Sequence, residues 1–562
     1  MDPVLKPAEK SAGRSVAKTQ GNLGNDGEMN VGGAPKSDSG LARLSLGQVM
    51  NRSCSLRGRE IAVIDRDRRF TWNELADRAR RLASALRALG LSPGDRVGML
   101  SQNSHRYIEF YLGTPWAGGV FTPLNTRLAP IELTRIIDHA AIDILIVDDA
   151  NLPTLAKLTT ASHPRILIVA SAGPPSPDFL DYETLLAAAE PCADAGRGGE
   201  DTAALFYTSG STGEPKGVML SHANLVMAGL IFQGPARVSE QSVTLVSAPL
   251  FHVGASGLAI PTLMAGGTLA IVARFTPQGA AEVIARDRVT VMSGVPTMFR
   301  MLLDSVAGQD VDLSSLRTIV YGGAPMPEAL RMDLASRFGD VYLVNGYGMT
   351  ELTATVTSLP GEYLSTERSH LGKDRSVGQA LVGVDVAIHD PDDNVLAPLA
   401  VGEVVVRGPV MMQGYWNQPD LTARTLKGGW MHTGDLGFLD EAGFLFLAGR
   451  SKDMIISSGE NVYPIEVEDV IQLFPGVAQC VVMGVADRLW GEAVHAVVVA
   501  NGEADLDPEA IMAHCRVNLA AYKCPRAIKI RSDPFPLTGA NKINRTAIIA
   551  AHQEDVRAGE TP

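Results

Sequence analysis

The chain is 562 residues long, with 46% hydrophobic and 20% charged residues, an ordinary globular balance. Its length exceeds what one hydrophobic core supports, so more than one domain is expected. Lys plus Arg number 49 against 62 Asp plus Glu, a formal net charge of −13 with no basic run, which argues against a nucleic-acid partner.

Residues 1–43 are rich in Gly, Ala, Ser, Asn and Lys and carry no aromatic side chain, so a disordered tail is expected there, without the apolar core of a signal peptide. The five cysteines are scattered and form no CxxC pair or Cys/His cluster, which suits reduced thiols in a cytoplasmic protein. From Leu44 the texture changes. Leu75, Ala79, Leu82, Ala85, Leu86 and Leu89 recur near 3.6 spacing, with Thr71 as N-cap, Glu74 three residues on and Gly90 at the far end, which predicts a helix. Strand-like runs (VGMLSQNS, IDILIVD, RILIVAS, GTLAIVA, VTVMSGV, LRTIVYGG) then alternate with helical stretches, predicting α/β layers with largely parallel sheets. The most apolar stretch, Gly257 to Ala273, is broken by Pro261, Gly266 and Gly267 and reads as helix, turn and strand instead of a membrane span. After about Val377, short β segments separated by turns such as DPDDN predict a β-rich subdomain. The last hundred residues alternate strands with helices starting near Ile465, Pro508 and Thr546, a small α+β domain.

The strongest chemical signal is YTSGSTGEPKGVMLSH, Tyr207 to His222. Glycines free the backbone to turn N–H groups toward an anion, hydroxyls add donors, and Lys216 adds charge, so the segment suits a polyphosphate. It is no Walker loop: GxxxxGK[ST] is absent, and GVML after Lys216 reads as strand.

This segment resembles the phosphate-binding loop of the adenylate-forming superfamily, which includes acyl-CoA synthetases, luciferases and peptide-synthetase adenylation domains. The likeness extends from about residue 45 to 550 through several ordered motifs. It implies that Thr208, Ser209, Gly210, Ser211, Thr212, Gly213 and Lys216 cradle ATP phosphates, with Thr208 also near Mg²⁺. NGYGMTE, Asn345 to Glu351, is similar to the segment beneath the nucleotide: Tyr347 flat against adenine, Asn345, Gly346 and Gly348 allowing close approach, Thr350 on the α-phosphate and Glu351 holding Mg²⁺. YGGAP, including Gly323, Ala324 and Pro325, resembles the wall between adenine and acyl slot. HTGDLG places Asp435 on the ribose hydroxyls, Arg450 is a second nucleotide contact, and Lys452 falls at the hinge. PLFHVGA places His252 beside the substrate carboxylate, as positioner and not as base. PLTGANKINR is similar to the C-terminal motif with Lys542 as the catalytic lysine, although Asn541 stands where glycine is usual; asparagine tolerates positive φ better than most. Gly459 in SSGENVYP is implied to admit the pantetheine arm of coenzyme A after domain rotation.

The resemblance implies an α/β fold: a large domain at 44–449 of layered sheets and helices with the β-rich subdomain at about 377–449, a hinge at 450–452, a small mobile α+β domain at 453–553, and a tail at 554–562. It implies an ATP-, Mg²⁺- and coenzyme A-using acid–thiol ligase acting on a small-molecule carboxylic acid, with a homodimer left open. A medium- or long-chain fatty acid is the expected substrate, an aryl or phenylpropanoid acid the nearest alternative. A carrier-protein acceptor is disfavoured because the stretch from Glu351 to Gly378 holds no long insertion. A luciferase-type oxygenase and a nucleotide binder without catalysis are the remaining readings. The second is opposed by the presence of Lys216, Thr350, Glu351, Asp435, Arg450 and Lys542 together.

Overall fold

Helix Trp72–Ala88 forms as its spacing predicts, with Thr71 accepting from the Glu74 backbone and the Glu74 carboxylate accepting from Thr71, a reciprocal cap. Trp72, Leu75, Leu82 and Leu86 on its inner face are fully buried. Each such side chain contributes roughly 1.5–3 kcal/mol relative to exposure. The computed structural model describes residues 44–558 apart from 160–163, 165, 171–178, 210–214, 324–325, 340, 365–370, 451–452, 458–459, 488–489, 503–505 and 539–541. The expected N-terminal tail, 1–43, lies outside the described residues.

Among the described residues the large domain holds two extended sheets. The eight-stranded one runs in the order Gly414–Tyr415, Pro215–Ser221, Thr202–Ser209, Val120–Pro123, Arg96–Leu100, Ile142–Asp148, Ile166–Ala170, Leu180–Asp181. The nine-stranded one runs Gln379–Ala380, Thr357–Leu359, Tyr342–Tyr347, Thr318–Gly322, Val291–Gly294, Val243–Val246, Thr268–Ile271, Ile61–Asp65, Arg68–Thr71. Their central pairings are parallel and their strands are mostly buried, as expected where helices cover both faces. The apolar stretch resolves into helix Val253–Ala265, a left-handed turn at Gly266 and strand Thr268–Ile271.

The β-rich part is a five-stranded antiparallel sheet of Asp385–His389, Gly402–Arg407, Trp430–Leu439 and Leu426–Lys427, with Leu445–Arg450 on Trp430–Leu439. The small C-terminal domain has its own sheet, in which Val477–Asp487 and Gly491–Ala500 pair along their length and Ala527–Arg531 adds in parallel. Helices Pro464–Gln472 and Pro508–Asn518 cover one face, burying Val467, Ile471, Ile511 and Cys515. The final helix, Arg545–Ala558, runs into the segment expected to be a tail. Val556 packs beside Ile548 on the other face of the sheet, which holds that last turn.

His222, 2% exposed at the start of helix His222–Gln233, joins this helix to helix Leu46–Arg57: its Nδ1 accepts from the Leu46 N–H at 3.3 Å. Burial lowers its pKa to about 4, with Asp201 and Arg197 as opposing smaller influences. The folded state thus keeps the ring neutral while the unfolded imidazole titrates near 6.5, so stability is complete above that value and declines as pH falls toward 4. The expected loss from this group at pH 5 is about 2 kcal/mol. Urea unfolding at pH 7 and pH 5 should show a smaller acid loss in His222→Gln, which keeps an acceptor but cannot charge.

Candidate active site

In the nine-stranded sheet, strands Val243–Val246, Val291–Gly294, Thr318–Gly322 and Tyr342–Tyr347 run parallel, so the segments after them gather at one edge. Such carboxyl-end crevices are where α/β sheets bind ligands. His252, Gly323 and the Gly348–Glu351 turn all follow these strands.

Strands Thr202–Ser209 and Pro215–Ser221 form an antiparallel hairpin with Thr208 opposite Lys216 and Ser209 opposite Pro215. Gly210, Ser211, Thr212 and Gly213 lie outside the described residues, as does the Ser209 side chain. The Lys216 ammonium sits 5.7 Å from the centroid of the Tyr415 ring, within cation–π reach.

His252 precedes helix Val253–Ala265, and its Nε2 is buried with no hydrogen-bond partner among the described residues. Burial, then the positive charges of Arg127 and Lys542, lower its pKa to about 4, so the ring is neutral at pH 7. The loop carrying it is pinned by Asn103, 4% exposed, whose Nδ2 donates to the Ala248 and Val272 carbonyls at 2.9 and 3.2 Å while Oδ1 accepts from the Leu250 N–H at 2.8 Å. The buried Tyr111 hydroxyl donates to the Leu250 carbonyl as well.

Tyr347 donates its hydroxyl to Asp435 Oδ2 at 2.7 Å, and Arg450 Nε donates to Oδ1 at 3.1 Å across paired strands. Asp435 is 7% exposed, so both carboxylate oxygens are engaged yet keep lone pairs for further donors. Asn345 is buried and donates to the Ser376 carbonyl at 3.4 Å. The glycines of this segment have an internal reason. A Cβ on Gly348 would strike the Ala354 carbonyl, and one on Gly322 the Gly346 carbonyl, so the chain itself demands the missing side chains.

Thr350 opens a short 3₁₀ turn, Thr350–Leu352, followed by Thr353 and Ala354 at φ +52° and +91°. Such backbone strain in non-glycine residues clusters at functional sites. Glu351 points its Oε1 at the Tyr415 hydroxyl, 2.9 Å away. Among the described residues no group of three or more His, Cys, Asp or Glu could hold a metal ion. One carboxylate fits an ion that takes its other ligands from phosphate and water, which is how Mg²⁺ commonly binds.

Lys542 comes from the small domain and reaches this crevice. A Cβ built on Gly323, whose φ is +74°, would collide with Lys542 Cε and Nζ, so the ammonium end lies against that glycine although the residue as a whole is exposed. Burial of the ammonium end, then Arg450, lower its pKa, and Asp435 opposes them. The loop is braced by Thr538 N–H donating to the Lys542 carbonyl at 2.7 Å, and by Arg545 donating to Glu468 at 2.6 Å and to the Val482 carbonyl at 2.9 Å. Ala324, Pro325, Lys452, Gly459 and Asn541 lie outside the described residues.

The structure therefore gathers His252, Gly323, Tyr347, Asp435, Arg450 and Lys542 in one place, with Lys216 and Glu351 linked through Tyr415. Sequence reading missed Tyr415 and Asn103; a tyrosine in QGYWN and an asparagine after a strand carry no spacing signal of their own.

The crevice at these strand ends is reached by a lysine of a second domain, and comparison with known proteins gives the family. The AMP-binding enzyme family matches residues 50–416, and the AMP-binding enzyme C-terminal domain matches 466–542. The chain is 39% identical to a feruloyl-CoA synthase of Amycolatopsis sp over 84% of its own length and 92% of the relative's. It is 33% identical to the long-chain-fatty-acid–CoA ligase FadD13 of Mycobacterium tuberculosis over 86% and 93%. Among solved structures it superimposes on the anthranilate CoA ligase AuaEII in complex with anthranoyl-AMP with a TM-score of 0.83, 25% identity, and 92% and 98% coverage. The chain belongs to the adenylate-forming acyl-CoA synthetases, the AMP-forming acid–thiol ligases.

The packing of Lys542 on Gly323 yields a test. Gly323→Ala adds a methyl group where the lysine end lies and strains a positive φ. If displacing Lys542 disturbs the chemistry, acid-dependent pyrophosphate release should fall roughly 10–100-fold, with the melting temperature shifted by only a few degrees.

Proposed function

We propose that this chain activates an aryl or phenylpropanoid-type carboxylic acid as its acyl-adenylate and transfers the acyl group to coenzyme A. The observation that carries the adenylation step is the Lys542 ammonium end lying against Gly323 beside His252, Arg450 and Asp435. In that step a carboxylate oxygen bonds to the α-phosphorus of ATP, and the bond to the β-phosphate bridging oxygen breaks, releasing pyrophosphate with its electron pair. Lys542 meets the charge developing around the α-phosphate, and Lys216 meets that on the departing phosphates. Neutral His252, with its unpartnered Nε2, orients the carboxylate without removing a proton. Asp435, braced by Tyr347 and Arg450, holds the ribose hydroxyls, and Tyr347 borders the adenine. Mg²⁺ on Glu351 and Thr208 would neutralise phosphate charge. In the second step the thiol sulfur attacks the acyl carbonyl, the bond to AMP breaks, and the thiol proton passes to water.

The aryl acid is preferred over the fatty acid expected from sequence for one reason. The feruloyl-CoA synthase and the anthranoyl-AMP complex are both aryl-acid enzymes similar over most of this chain. The 33% identity to a long-chain-fatty-acid–CoA ligase supports a fatty acid as the second reading.

The test is pyrophosphate release and thioester mass across aryl, phenylpropanoid and fatty acids, with and without coenzyme A. Hydroxycinnamic or benzoic acids should give the largest kcat/KM. A preference for long alkyl acids would reverse the substrate choice, and release without thioester would reject coenzyme A as acceptor. Lys542→Ala should lose adenylation roughly 10²–10³-fold or more while unfolding as the parent does; near-parental release would reject the role given to Lys542.

A further inference from the structure

Segment Val410–Gln418 binds two parts of the site at once. Toward the strand after the phosphate loop, Gln413 N–H donates to the Met219 carbonyl, Trp416 N–H to Gly217 and Gln418 Nε2 to Pro215, at 2.9, 2.7 and 2.9 Å. Toward the strained turn, Met412 N–H donates to the Glu351 carbonyl at 2.8 Å, and the buried Thr353 hydroxyl donates to Val410 at 2.7 Å. Tyr415 lies at the centre of this strap, 5% exposed, its backbone paired with Val218 and its N–H bound to Thr422 Oγ1 at 2.9 Å. Its hydroxyl lies 2.9 Å from Glu351 Oε1 and must donate to it, since an ionised carboxylate only accepts, while Thr425 is a second side-chain hydrogen-bond partner. Its ring carries the Lys216 ammonium.

A buried tyrosine needs some partner for its hydroxyl, and a nearby carbonyl would serve packing alone. Here the acceptor is instead the carboxylate given the metal in the proposed function. We propose that Tyr415 is a positioning residue, holding Glu351 Oε1 so that the carboxylate would be fixed for a divalent cation, and coupling that carboxylate to Lys216 through a single ring. This rests on the metal role of Glu351 in the proposed function. Outer partners of this kind commonly contribute 10–100-fold to metal affinity.

The test uses Tyr415→Phe, which keeps the ring, the strap and the cation–π contact and removes one hydroxyl. Mn²⁺ binding is followed by electron paramagnetic resonance in the presence of a non-hydrolysable ATP analogue, beside Glu351→Gln and the double variant. Expected are a 10–100-fold weaker Mn²⁺ affinity in Tyr415→Phe and a matching rise in the Mg²⁺ needed for half-maximal pyrophosphate release. Metal-free ATP-analogue affinity should be unchanged, and the double variant should be no weaker than Glu351→Gln alone, because the two act through one ligand. Unchanged Mn²⁺ affinity in Tyr415→Phe, or additive losses in the double variant, overturns the proposal while leaving the metal role of Glu351 intact. If Glu351→Gln itself leaves Mn²⁺ affinity unchanged, the metal reading fails and the role of Tyr415 falls with it.

Discussion

A buried carboxylate must be paired, and Asp435 is paired from two directions. Tyr347 reaches it from the last parallel strand of the nine-stranded sheet, and Arg450 from the strand that ends where the small domain begins. The β-rich sheet supplies the carboxylate itself. One charge-assisted cluster thus ties the large domain, its β-rich part and the approach to the small domain. Breaking either donor would leave part of a desolvated charge unmet, a cost of about 1–3 kcal/mol or more.

The glycines of the crevice depend on packing that forbids side chains. Gly322 and Gly348 are fixed by neighbouring carbonyls, and Gly323 by the end of Lys542. The left-handed conformations at Thr353 and Ala354 hold the Glu351 turn in a shape that neither residue favours alone, and the strap at Val410–Gln418 supplies the hydrogen bonds that keep it there. Strain at this turn and order in the strap are two views of one arrangement. Electrostatics follow the same plan: burial, Arg127 and Lys542 keep the His252 ring neutral at pH 7.

Much of this was legible in the sequence. The helix at Trp72–Ala88, the parallel strands, the β-rich segment and the starts of the last three helices follow from periodicity and caps, because each rests on contacts within a few residues. The motif residues stand out for a related reason: glycine, hydroxyl and charge in fixed order suit a polyphosphate even before the chain folds. The extent of the last helix was not, since Val556 is held by a sheet formed from strands more than fifty residues earlier.

The sequence by itself determined the element types, the family resemblance and which residues have the chemistry to meet ATP and an acid. Only the tertiary structure decided that Lys542 reaches Gly323, that Tyr347 and Arg450 share Asp435, and that Tyr415 joins Lys216 to Glu351. These partners are separated by 15 to more than 200 positions, and residues so far apart have no local pattern to announce them. Their meeting is set by sheet order and strand register, which are fixed only when the whole hydrophobic core is buried at once.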